Sequence, residues 1–236
     1  MKTHIHESVR DEKGFTLVEL AIVMVIIGLL IGGILKGQEM IANAQVSATV
    51  AQIKGVTAAT NTFQDMFDAL PGDITNPGTR LTNCAAAPCN AVGNGNSQIG
   101  GVPGTVAGEN LSFWAQLNAA DLLTGVDGSN TAAWGRALPS AKAGGGLTVG
   151  FTATGALTTS LAAAARGGHY IMLQGVPGTI ASPALSGSEA ARMDRKMDDG
   201  APGTGSVIGS GDATCGTATT YTENADQVAC AISARL

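Results

Sequence analysis

Glu19 is the single charged side chain among the 21 residues from Phe15 to Leu35. A carboxylate inside an apolar helix is expensive and is normally kept for a partner or a function. Two readings compete: a glutamate tolerated near a helix end, facing headgroups, or one that pairs with a cation brought from elsewhere. The cysteines offer a second chemistry. Cys84 and Cys89 are separated by four residues, Cys215 and Cys230 by fourteen. A metal site would need convergent histidines or carboxylates, and the only histidines are His4, His6 and His169. In a chain that leaves the cytoplasm, disulfides are the expected use. Four cysteines allow three connectivities. Loop closure favours Cys84–Cys89 with Cys215–Cys230, and the longer loop stabilises by about 3 kcal/mol. A third group is Asp194, Asp198 and Asp199, ahead of Gly200. Their oxygens are of the type calcium takes, but the spacing is not that of an EF-hand. Arg192, Arg195 and Lys196 compete for the same charges, which favours a solvated helix end with no metal and no other cofactor.

Catalysis has no assembled set of groups. There is no Gly-x-Ser-x-Gly turn, no Walker loop and no HExxH helix. Beyond residue 14 the one histidine is His169, beside Tyr170 and Ile171 in a strand-like run, where a structural role is expected. The chain therefore reads as a non-enzyme. With a net charge of −5 and no basic run after the amino terminus, it also lacks the electrostatic footprint of direct nucleic-acid binding.

The elements that must position these groups begin with residues 1–14, a short polar segment in which Lys2, Arg10 and Lys13 face Glu7, Asp11 and Glu12. The run 15–35 then gives a helix of roughly 30 Å, the thickness of a bilayer's hydrocarbon core. Arg10 and Lys13 favour an amino terminus kept in the cytoplasm and a body facing outward. A conventional secretory signal is the rival, since Ala42-Asn43-Ala44 fits its cleavage site and would start the mature chain at Gln45. Its apolar region, however, usually runs about 7–15 residues, shorter than the one here, and Lys36–Ile41 makes an unusual spacer. Gly28, Gly32 and Gly33 each cost a helix in water about 1 kcal/mol relative to alanine. In lipid, the Gly28-x-x-x-Gly32 spacing instead permits close helix contact.

Lys13-Gly14-Phe15-Thr16-Leu17-Val18-Glu19-Leu20 resembles the cleavage and methylation signature of type IV prepilins and type II secretion pseudopilins. The resemblance implies a prepilin peptidase that cuts after Gly14 and N-methylates Phe15. It implies that Glu19 pairs with the terminal amine of a neighbouring subunit during assembly. The implied partners are further copies of the chain, other pilins or pseudopilins, and an inner-membrane assembly platform with a cytoplasmic motor ATPase. The implied location is the bacterial inner membrane, as a single-pass protein, and then a periplasmic or extracellular filament. The signature covers the first part of the chain only, and the proline that many type IV pilins carry in this helix is absent.

Beyond residue 35 an amphipathic continuation is expected over 36–70. Ala42, Val46, Thr49, Ile53, Val56, Thr60, Phe63, Phe67 and Leu70 alternate by four and three and so share a face. Pro71-Gly72 stops the helix, and a continuous helix from Phe15 to Leu70 would be about 84 Å long. Residues 71–236 read as a head, with a loop-rich stretch at 73–109. A helix is expected over Asn110–Leu123, and Ser186-x-x-Glu189 is a capping box opening another that runs to about Met197. Strands are expected at Leu147–Ala153, His169–Gly175, Gly205–Ile208, Thr219–Thr222 and Val228–Ser233. The expected fold is α+β and pilin-like: a long amino-terminal helix on a small antiparallel sheet, with a carboxy-terminal disulfide loop at 215–230. Two function classes remain, a filament subunit and a secreted or membrane-anchored ligand-binding domain.

Overall fold

A computed structural model describes residues 14–153, 161, 166–211, 213–224 and 227–236. The expected leader falls, except for Gly14, outside the described residues. The chain divides into two compact units, residues 1–41 and 42–236.

Helix α1 spans Leu17–Phe67, and its side chains meet two environments. In the first unit the large apolar residues, among them Val18, Ile22, Val25, Leu29 and Leu35, are exposed. This stretch is long and apolar enough to cross a membrane, and none of it is buried. In the second unit Val46, Thr49, Val50, Ile53, Val56, Ala59, Thr60 and Phe63 are buried, following the spacing that keeps residues on one helical face. The helix stops at Phe67, three residues before the expected Leu70. Asp68 takes a φ of +47°, a left-handed conformation that aspartate tolerates better than most residues, and its N–H closes on the Gln64 carbonyl at 2.8 Å.

Among the described residues five strands form one antiparallel sheet: β1 Gly146–Thr152, β2 Gly168–Gln174, β3 Leu185–Ser186, β4 Val207–Gly211 and β5 Val228–Arg235. The last of these is central. Ile232 pairs with Leu173 of β2 on one edge and with Gly209 of β4 on the other. Cys230 likewise faces Gly211 of β4 across one edge and Leu185 of β3 across the other, so β2 and β3 share an edge of β5. β1 extends the sheet beyond β2. Because successive side chains alternate faces, Leu147, Val149, Ile171, Leu173, Ile232 and Ala234 point into one core with the α1 stripe. This is the α+β, pilin-like arrangement of a long helix on an antiparallel sheet.

Short helices complete the head. α2 is Pro77–Arg80. α3, Glu109–Ala119, buries Leu111, Phe113, Trp114 and Leu117, with the Phe113 and Trp114 rings edge to face at 4.9 Å. It ends four residues short of Leu123, where Asp121 adopts φ +58°. α4, Gly187–Met197, opens on the expected capping box: Ser186 N donates to Glu189 Oε2 at 2.9 Å, and Glu189 N to Ser186 Oγ.

Two strand expectations need correction. Thr219–Thr222 forms no strand, only a single bridge between Gly216 and Tyr221. Thr219 N and Thr220 N donate to the Thr217 hydroxyl, and such side-chain bonds compete with a ladder. The strand expected from Gly205 begins instead at Val207. Gly205 has φ +76°, and a Cβ there would lie 1.7 Å from Asp198 Oδ2, so it belongs to the turn that leads in.

Candidate processing and assembly site

The residues of the signature lie at the start of α1. Gly14 and Thr16 precede the helix and are exposed, and Phe15 is 89% exposed. Thr16 caps the first turn. Its N–H and hydroxyl both donate to Glu19 Oε2 at 2.9 Å, while Glu19 N donates back to the Thr16 hydroxyl at 3.3 Å. Thr16-x-x-Glu19 is thus a reciprocal capping box: the carboxylate takes the Thr16 N–H and the Thr16 hydroxyl takes the Glu19 N–H, two backbone donors that helix geometry leaves open. The pattern is readable from residue types and spacing, although the two roles weighed for Glu19 from the sequence were a headgroup-facing side chain and an intermolecular partner. One Glu19 oxygen, Oε1, remains for a further donor among the described residues.

Gly28, Gly32 and Gly33 sit within α1, and a Cβ added at any of them would meet nothing within 4 Å. Contacts inside one chain therefore do not require glycine there. A close approach by another helix would.

The sulfur chemistry lies in the head. Cys84 is bonded to Cys89 and Cys215 to Cys230, the local pairing that loop closure favours. The first bridge sits in the loop-rich stretch, which polar side chains hold from several directions. Asp73 accepts from the backbone N–H groups of Gly95, Asn96 and Ser97. Glu109 accepts from Asn94 and Gly100. Gln116 is buried; it accepts from Gly72 N at 2.6 Å and donates to the Cys89 carbonyl at 3.0 Å. His169 Nε2 accepts from Ile99 N at 3.1 Å. Burial lowers the His169 pKa, against the nearby Asp73 charge, which raises it. These four anchors were not identified from the sequence, and only His169 was given a structural role.

The three aspartates do converge, with one ligand oxygen from each within 4.8 Å of the others. Their acceptor capacity is directed inward. Asp194 is buried and accepts from the Tyr221 hydroxyl at 2.8 Å and Gly200 N at 3.0 Å. Asp198 accepts from Ser206 N and Val207 N, and Asp199 from Ala201 N and the Thr204 hydroxyl. Burial pushes the Asp194 pKa up to about 6, opposed by the Tyr221 and Gly200 hydrogen bonds and reinforced by Asp199 and Asp198. The same burial, with the Asp194 charge, raises the Tyr221 hydroxyl. Among the described residues the neighbouring cations are bonded elsewhere. Arg192 bonds Asn43, Arg195 pairs with Glu223 and Lys196 bonds Ser47. The cluster orders the turn from α4 into β4.

Residues 9–35 match the family profile described as the prokaryotic N-terminal methylation motif, a prepilin-type signal. Comparisons with curated proteins and with solved structures found no match.

Proposed function

We propose that this chain is a structural subunit of a type IV pilus or a type II secretion pseudopilus. It is cleaved after Gly14, N-methylated at Phe15 and assembled by packing of its first helix. The observation that carries this reading is the methylation motif over residues 9–35 joined to a helix whose first half is apolar and unburied and whose second half belongs to the head's core. Side chains such as Val25 and Leu29 are exposed among the described residues, so lipid before assembly and neighbouring helices after it are the environments that suit them.

In this mechanism the peptidase creates an amine on Phe15, one helical turn from Glu19. The carboxylate is held by Thr16 in the free subunit and accepts the amine of an adjacent copy as the filament grows. Two ions that are costly alone in an apolar medium then offset one another. Motion is supplied by a cytoplasmic motor acting through an inner-membrane platform, and the body lies on the outer side of that membrane. The two cysteine pairs and the large loop-rich head favour the pilus over the pseudopilus.

The ligand-binding alternative places a signal cut after Ala44. Residues 42–44 lie inside α1, and Asn43 holds Arg192 at 3.1 Å, so that cut would divide a helix and sever one of its contacts to the head. Mass spectrometry of the mature amino terminus decides between them: N-methylated Phe15 is the expected first residue, and Gln45 would refute the proposal. With Glu19→Ala, processing is expected to persist while filaments seen by electron microscopy disappear. Normal filaments from that variant would remove Glu19 from the mechanism.

A further inference from the structure

We infer that Thr16 is a positioning residue for the cleavage proposed above: its cap fixes where α1 begins and thereby keeps the Gly14–Phe15 bond out of the helix. The inference rests on that reading of the amino terminus. Thr16 carries the one hydroxyl between Phe15 and Leu35, and it stands directly before Leu17, the first residue of α1. The helical ladder starts at its own carbonyl, which accepts from Leu20 N at 3.2 Å. Among the described residues the carbonyls of Gly14 and Phe15 accept nothing, and both residues are exposed.

The cap acts by holding one particular donor. In an α-helix the N–H of residue i bonds the carbonyl of residue i−4. Glu19 N is therefore the donor that would draw the Phe15 carbonyl into the ladder, and Val18 N the one that would draw in that of Gly14. Glu19 N instead meets the Thr16 hydroxyl at 3.3 Å, while the Glu19 carboxylate takes Thr16 N and the same hydroxyl at 2.9 Å. Glycine is about as good an N-cap as threonine, so without that hydroxyl the start of α1 can slide back to Gly14. The carbonyl of the bond to be cut is then engaged by Val18 N. Hydrolysis adds the oxygen of water to the Gly14 carbonyl carbon, breaks its bond to nitrogen and leaves a protonated amine on Phe15. A carbonyl bonded within a helix cannot meet a peptidase's own groups until that turn opens. A precursor of which only a fraction is open binds the peptidase more weakly by that fraction.

The test follows cleavage of the full precursor by purified prepilin peptidase in detergent micelles, with mass spectrometry of the product. Thr16→Val keeps the shape and removes the hydroxyl. It is expected to raise KM by up to about fivefold, the worth of one N-cap side chain, with kcat unchanged. Thr16→Ser and Thr16→Asn differ in shape but both cap, and each is expected to return KM to the parent's value. A Thr16→Val precursor cut with the parent's KM overturns the inference. So does a raised KM for Thr16→Asn, which marks a peptidase that reads the shape of threonine. A loss confined to kcat overturns it as well, since it marks a step after binding. A parent left uncut at Gly14 overturns the proposed processing itself, an outcome told apart because it is seen before any variant is compared.

Discussion

At His169 the acceptor nitrogen holds Ile99 N at 3.1 Å, and it does so only while unprotonated. Burial lowers this pKa below the ordinary value of 6.5, so the folded chain favours the neutral ring. The stability that follows is full above that value and is lost as pH falls through it. Asp194 has the opposite sign. Its pKa is raised from 3.8 to about 6, so the folded chain binds this proton more tightly than the unfolded one, and stability rises as pH falls from about 6 toward 3.8. Melting temperature followed over this range should separate the two groups. His169→Gln removes the loss that sets in as pH falls below 6.5, and Asp194→Asn removes the gain between about 6 and 3.8. Profiles that keep both slopes in both variants would contradict these assignments.

Two capping boxes occur in one chain, Thr16 with Glu19 and Ser186 with Glu189, and they start elements of different kinds. Ser186→Ala should destabilise the head by about 1 kcal/mol, read as a lower urea midpoint with an unchanged slope. Thr16→Ala should leave that midpoint where it is and speed hydrogen exchange at the first amides of α1, with Thr16→Ser restoring protection. The Ser186–Glu189 box was legible as a pattern, as were the buried stripe of α1 and the strands β1, β2 and β5, because each is set by neighbours within a few positions. The anchors of the loop-rich stretch were not. Asp73 binds residues more than twenty positions away, Gln116 joins Gly72 to Cys89, and His169 meets Ile99, and no local spacing rule encodes such meetings. The run at 219–222 misled for the converse reason: its β-branched side chains suit a strand, but the Thr217 hydroxyl took the backbone N–H groups of Thr219 and Thr220 first.

Among the described residues the buried core lies within 42–236, and the large side chains of the earlier apolar stretch are exposed. Truncating a buried ring, as in Phe63→Ala, should cost about 3–5 kcal/mol, whereas Val25→Ala, at a position 63% exposed, should leave head unfolding unchanged in chemical denaturation. Replacing Cys215 and Cys230 by serine opens a loop with a sequence separation of 15 and should lower stability by about 3 kcal/mol, measured against the oxidised parent. The position of β5 has a further consequence for biogenesis. The strand that receives β2 and β3 on one side and β4 on the other is the last of the five to be synthesised. Until residues 228–235 are available, β3 and β4 lack the strand they pair with, and of the described strands only β1 and β2 can join each other. A chain cut short before Val228 would therefore hold at most the β1–β2 hairpin of its sheet, an open form that proteases can remove.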